Sequence, residues 1–145
     1  MKQLRIVGIA TVVIILLTTT WSCGKKQTHS TIPNVAVNIY LDMNSTMYIE
    51  LNTIGGWVYL TGGYKGLLVY RVAVDEFVAY DRACPYDPLE PKAIIMMDKS
   101  GITCSDSLCG SKFGILDGSI INGPSTLPLK RYNTYYDGNT LSISN

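Results

Sequence analysis

Two Asp-Gly pairs constrain this chain more than any other feature, because each stands between two short runs of β-forming residues. Asp117-Gly118 separates Gly114-Ile115-Leu116 from Ser119-Ile120-Ile121, and Asp137-Gly138 separates Tyr132–Tyr136 from Thr140–Ile143. Two-residue hairpin turns need positive φ, which glycine adopts without strain, so this pattern predicts hairpins. Upstream, Val35, Val37, Ile39 and Leu41 alternate with Ala36, Asn38, Tyr40 and Asp42, the period of a half-buried strand. Leu67–Arg71 and Phe77–Tyr80 flank a turn-like Asp75-Glu76, and Ile94–Met97 closes on Asp98-Lys99-Ser100-Gly101. No segment keeps a helical period for long; residues 43–54 are the one place where a short helix fits. Short strands with frequent turn residues predict an all-β domain, a small antiparallel sandwich or barrel.

The N-terminus reads as an address. Lys2 and Arg5 precede an apolar run from Ile6 to Leu17, too short for a comfortable membrane span, and Ser22 stands immediately before Cys23. This resembles a bacterial lipoprotein signal, with Thr20 where that family prefers Leu. The resemblance implies a signal peptide over 1–22 and a lipidated, palmitate-bearing Cys23. The mature protein would then sit in the bacterial cell envelope, anchored to the inner or outer membrane with its domain outside the cytoplasm. Residues 23–33 are polar and without periodicity, and are expected to form a tether. It carries the only histidine, His29, whose expected state is solvated. Residues 34–145 suffice for one domain with its own core and are too few for two.

Charge excludes one class of partner. Removing Lys2 and Arg5 from 12 basic residues set against 11 acidic ones turns the net charge from +1 to −1. With no basic cluster in the domain, there is no electrostatic footprint for nucleic acid. Gly62-Gly63-Tyr64-Lys65-Gly66 lacks the Gly-Lys-Ser/Thr ending and following helix of a phosphate loop, and reads as a glycine-rich turn before a strand. The acidic residues Asp75, Glu76, Asp81, Asp87 and Glu90 are scattered, and no histidine is placed to complete a nucleophile system. No catalytic residue is therefore expected.

The chemistry-bearing residues lie in two loops, Cys84-Pro85-Tyr86 and Cys104-Ser105-Asp106-Ser107-Leu108-Cys109-Gly110-Ser111-Lys112-Phe113. Together they resemble the ligand loops of the Rieske iron–sulfur family, Cys-x-His and Cys-x-x-His followed by Gly-Ser-x-Phe. In that family two thiolates hold one iron and two imidazoles the other. The resemblance runs from Leu67 to Ile143. Phe77–Tyr80 resembles the strand entering the first loop, Gly123-Pro124-Ser125-Thr126-Leu127-Pro128-Leu129 the proline-bearing cover loop, and Tyr132–Ile143 the closing hairpin. It implies a Rieske-like all-β fold with two cysteine-bearing loops and that cover loop.

Both histidines of the pattern are replaced. Tyr86 takes the first histidine position and Cys109, before Gly110-Ser111, the second. Cys84 matches the first cysteine. Cys104 matches the second, or Cys109 does in an alternative alignment. The resemblance makes Cys84, Tyr86, Cys104 and Cys109 the ligand-equivalent positions, with Cys84, Cys104 and Cys109 as metal ligands if a cluster or a zinc ion is bound. Without metal, cysteines that would share an iron stand near bridging distance, and the compartment is oxidising. The expectation is a Cys84–Cys104 disulfide, with Cys104–Cys109 and Cys84–Cys109 as alternatives. The leading functional expectation is a membrane-anchored Rieske-fold accessory or binding module without cofactor, acting on an unidentified protein partner. The alternatives are a [2Fe–2S] electron carrier with unusual ligation and a thiol–disulfide redox protein.

Overall fold

The computed structural model describes residues 31–145. The expected signal peptide, the expected lipidation site Cys23 and His29 lie outside the described residues. Ten strands follow in order: β1 Asn38–Asp42, β2 Trp57–Leu60, β3 Leu67–Ala73, β4 Glu76–Asp81, β5 Ile95–Met97, β6 Thr103–Asp106, β7 Lys112–Gly114, β8 Ile120–Asn122, β9 Arg131–Tyr136 and β10 Thr140–Ser144. One 3-10 helix, Thr46–Asn52, falls within the segment where a helix was expected, and Ser45 caps it by accepting the Met47 amide. No helix of the described residues is long and apolar enough to cross a membrane.

The strands form two antiparallel sheets. Six pair in the order β1-β10-β9-β4-β3-β2 and four in the order β5-β6-β7-β8. The smaller sheet is inserted between β4 and β9, so the chain leaves the large sheet, builds both cysteine loops and returns. Two apolar cores result, one on each side of β3 and β4. Leu67, Val69, Phe77 and Ala79 join Leu41, Leu51, Tyr132, Leu141 and Ile143 on one side. Leu68, Tyr70, Val78 and Tyr80 join Ile95, Cys104, Phe113, Ile115 and Leu129 on the other. A strand buried on both faces has no polar register, which is why Leu67–Tyr70 and Phe77–Tyr80 are continuous apolar runs. By contrast, β1 buries Leu41 and exposes Asn38, Tyr40 and Asp42, as its alternation requires.

The hairpin signals hold with longer connections. β9 and β10 join through Asp137-Gly138-Asn139, with Gly138 at φ +99°. The Asp117-Gly118 pair lies within a five-residue loop, residues 115–119, because β7 ends at Gly114 and β8 starts at Ile120. β2 carried no turn-and-alternation signal in the sequence; all four of its residues are half-buried. Packing against the domain starts inside the expected tether, where Ile32 is buried and Lys130 Nζ donates to the Pro33 carbonyl at 3.1 Å.

The glycine-rich turn before β3 does cradle an anion, but one from its own chain. Asp81, fully buried at the end of β4, accepts the amides of Tyr64 at 2.6 Å and Lys65 at 3.2 Å. Gly63 has φ +62°, and a Cβ there would stand 2.6 Å from Asp81 Oδ2, so no side chain fits.

Candidate thiol and metal centre

The first cysteine loop is held from three sides before its sulfur is placed. Asp81 Oδ1 accepts the Ala83 amide at 2.8 Å, and the Cys84 amide donates to the Ala93 carbonyl at 3.2 Å. Lys65 Nζ donates to the carbonyls of Glu90 and Ala93, closing the base of the segment that follows. Arg82 Nε donates to the Ile95 carbonyl at 3.1 Å while its guanidinium lies 3.8 Å from the Tyr59 ring centroid. Cys84 is thereby fixed as a buried side chain of the second core.

The second loop joins β6 to β7. Asp106 ends β6; its own amide donates to the Ser111 carbonyl at 3.0 Å, and its carbonyl accepts the Gly110 amide at 2.8 Å. Its Oδ1 accepts the Leu108 amide at 2.9 Å, the local side-chain turn for which Asp is suited. Gly110 sits at φ +78°, which lets the chain reverse immediately after Cys109. These constraints turn Cys109 back over the first loop.

The result is a compact group. Cys84 Sγ and Cys109 Sγ are 3.6 Å apart, and Cys109 Sγ donates to Asp106 Oδ2 at 3.3 Å. One ligand atom from each of Cys84, Asp106 and Cys109 lies within 4.8 Å of the others. Cys109 Sγ also lies 3.1 Å from Ser111 Oγ and accepts the Ser111 amide at 3.4 Å. Ser111 Oγ in turn accepts the Ser125 amide at 2.9 Å, and Asn122 Nδ2 donates to the Gly110 carbonyl at 3.3 Å, so the cover loop is pinned onto the centre. Burial pushes the Cys84 thiol up; the Tyr86 amide at its sulfur opposes that, while Asp106 and Cys109 reinforce it.

Among the described residues Cys84, Cys104 and Cys109 are free thiols in this structure, the expected Cys84–Cys104 bond not being drawn between them. Cys104 stands on β6 opposite Phe113, inside the second core, with its thiol directed at the Phe113 carbonyl at 3.9 Å. Burial, reinforced by the Asp98 charge, pushes that thiol up to about 12. Cys104 is therefore a core residue and not a member of the group. Cys109, carried on the turn, takes the place beside Cys84 that was expected of Cys104. Tyr86 is half-buried and packs against the second core.

Asp106 was missed as a site residue, yet the sequence contained its signal. Asp106-Ser107-Leu108-Cys109-Gly110-Ser111 has the spacing of Cys-x-x-His-Gly-Ser without any insertion, placing Asp106 at the cysteine position and Cys109 at the histidine position. An alignment that asks for a cysteine offers Cys104, with a longer loop, or Cys109 in the alternative.

A Rieske [2Fe–2S] cluster takes two imidazoles on one iron and two thiolates on the other. Among the described residues the donors gathered here are two thiols and one carboxylate, with no imidazole, and their ligand atoms all lie within 4.8 Å of one another.

No family model and no curated protein matches this sequence. Among solved structures, a chain from the complex of reduced oxygenase and oxidized ferredoxin in carbazole 1,9a-dioxygenase is 20% identical, with a TM-score of 0.50, over 73% of this chain and 93% of that one. The ferredoxin of carbazole 1,9a-dioxygenase from Nocardioides aromaticivorans IC177 is 17% identical, with a TM-score of 0.47, over 79% of this chain and 97% of that one. A putative NADH-dependent nitrite reductase small subunit from Mycobacterium tuberculosis is 16% identical, with a TM-score of 0.45, over 77% and 97%. The likeness is one of fold: this domain has the Rieske-like all-β fold, with its two loops and cover loop.

Proposed function

We propose that this chain is a membrane-anchored Rieske-fold accessory module whose ligand loops no longer carry the family's iron–sulfur cluster. The observation that carries the reading is the donor set. Cys84, Asp106 and Cys109 converge where two cysteines and two histidines would be needed, and a fold does not bring its chemistry along once the ligands change. The anchor in this reading is the lipid on Cys23, which places the domain outside the cytoplasm. Its counterpart is a protein. Leu89 after the first loop, Leu108 in the second and Leu127 in the cover loop are 59%, 55% and 40% exposed, and apolar side chains left in water on three functional loops suit a protein surface.

The test is iron and acid-labile sulfide in the full chain, purified in detergent without oxygen, with electron paramagnetic resonance of the reduced sample. A folded protein without sulfide supports the reading. About two irons and two sulfides per chain, with a reducible signal, make the chain an electron carrier and overturn it.

A further inference from the structure

We infer that Cys84, Asp106 and Cys109 form a binding site for a single thiophilic divalent cation of the zinc class, coordinated by two thiolates and one carboxylate. The inference rests on the reading that the loops do not hold an iron–sulfur cluster, and it gives the same centre a different occupant.

Distances carry the first part of the argument. A tetrahedral ion with metal–sulfur bonds of about 2.3 Å holds its two sulfurs about 3.8 Å apart. Cys84 Sγ and Cys109 Sγ stand at 3.6 Å. With a metal–oxygen bond of about 2.0 Å, the same geometry sets sulfur and oxygen about 3.5 Å apart. Cys109 Sγ and Asp106 Oδ2 stand at 3.3 Å. Two of the three edges between these donors thus match one coordination tetrahedron, and the third, from Cys84 to Asp106, is no longer than 4.8 Å.

Charge carries the second part. Asp106 is fully buried, and its carboxylate takes one amide and one thiol but no ion pair among the described residues; the ion pair found there joins Lys112 to Asp98. A carboxylate taken out of water without a cation is costly, and a bound divalent ion removes that cost. Two sulfurs beside one oxygen select a zinc-class ion over calcium or magnesium, which take oxygen ligands alone.

The surroundings are those of a metal-bound thiolate. The Ser111 amide points at Cys109 Sγ and the Tyr86 amide at Cys84 Sγ. Cys109 Sγ as a thiol donates to Ser111 Oγ, which also accepts the Ser125 amide; once Cys109 is ionised on a metal, the Ser111 hydroxyl can reverse that contact and donate to the thiolate. Such outer contacts orient the ligands and stabilise their ionised forms. Three protein ligands leave the fourth position to solvent, reached past the half-buried Cys109.

The experiment titrates the full-length chain, reduced and stripped with chelator, with cobalt(II) as a spectroscopic stand-in, and then displaces it with zinc. The expected result is one cobalt per chain, with a thiolate charge-transfer band of two-sulfur intensity and strong tetrahedral ligand-field bands, all lost on adding one equivalent of zinc. Cys109→Ser should lower cobalt affinity at least tenfold and halve the charge-transfer band. Asp106→Asn should weaken affinity while keeping both sulfurs, and Cys104→Ala should leave the spectrum unchanged. Absence of the band in folded, reduced protein overturns the inference, as does a spectrum that depends on Cys104. Iron and sulfide in the protein as isolated would overturn the reading beneath it, a distinct result because cobalt alone brings no sulfide.

Discussion

Tyr132 on β9 donates its hydroxyl to Asp81 Oδ2 at the end of β4, at 2.8 Å, with both residues buried. That carboxylate also receives the amides of Tyr64, Lys65 and Ala83. One buried charge thus ties together the glycine-rich turn, the strand leaving for the ligand loops and the strand returning from them. Burial, with the Asp81 charge reinforcing it, pushes the Tyr132 hydroxyl well above the usual tyrosine range, so it remains a donor at any physiological pH. Tyr132→Phe should lower unfolding free energy by about 2 kcal/mol in urea titrations, as expected for a hydrogen bond to a charged acceptor. An unchanged midpoint would mean that the three amides alone satisfy Asp81.

The opposite sign is expected one residue before Asp81. The Tyr80 hydroxyl is buried without a hydrogen-bond partner among the described residues. Burial pushes it up to about 12 against the opposing charge of Arg131, so it is a neutral phenol whose hydroxyl makes no return for its lost hydration. Tyr80→Phe keeps the ring in the second core and should raise stability by about 1 kcal/mol, read from the urea midpoint. A loss of stability would reveal a buried water bound at that hydroxyl.

How legible all this was in the sequence depended on which physical signal each element carries. β9 and β10 declared themselves through Asp137-Gly138 because positive φ is demanded at a hairpin turn. β3 and β4 were legible as strands, but not as strands covered on both faces, since a continuous apolar run carries no face information. β2 has neither turn chemistry of its own nor alternation; it is a strand because β3 pairs with it from Trp57↔Tyr70 to Leu60↔Leu67.

The site shows the same division. Cys84 could be placed from sequence because its loop directly follows a strong strand. The sequence leaves Cys104 and Cys109 as alternatives for the second cysteine position, and only the β6–β7 register, Cys104↔Phe113, shows that the Cys104 side chain packs in the core. Asp106 was passed over since a carboxylate is not the family's ligand, although its spacing to Cys109 was that of the pattern.

Thiol reactivity should separate the three described cysteines, Cys84, Cys104 and Cys109, in reduced, chelator-treated protein. Cys104, buried and with its thiol pushed up to about 12, is protonated at pH 8, and protonated thiols do not alkylate. Cys84 is buried and pushed up as well. Cys109 is half-buried at the turn and should label first with iodoacetamide. Mass spectrometry of a time course should give a singly modified chain carrying its label at Cys109, with Cys104 labelled only on unfolding. Early modification of Cys104 would mean that the β6–β7 register opens in the native state.

Acid stability provides the last check, on the small sheet that carries the second loop. Asp98, just after β5, accepts Ser105 Oγ at 2.5 Å and Thr103 Oγ1 at 2.7 Å, and lies 3.2 Å from Lys112 Nζ. Partial burial opposes ionisation, but the hydroxyls of Ser105 and Thr103 and the Lys112 charge outweigh it, so the carboxyl sits below its ordinary range. A depressed folded value means the unfolded chain takes up the proton first as pH falls. The stabilisation is therefore complete above the unfolded value, about 3.9, and is lost as pH drops through the folded one. Asp98→Asn removes the charge while keeping one acceptor. It should cost about 1 kcal/mol at pH 7, and the difference from the parent chain should close as pH falls through the depressed folded value. The side chain is 22% exposed and Lys112 43%, so added salt should trim only the ion-pair share of that cost and leave the hydroxyl share in place. A difference that persists unchanged into acid would assign the effect to packing between β5 and β6, with no contribution from the Asp98 charge.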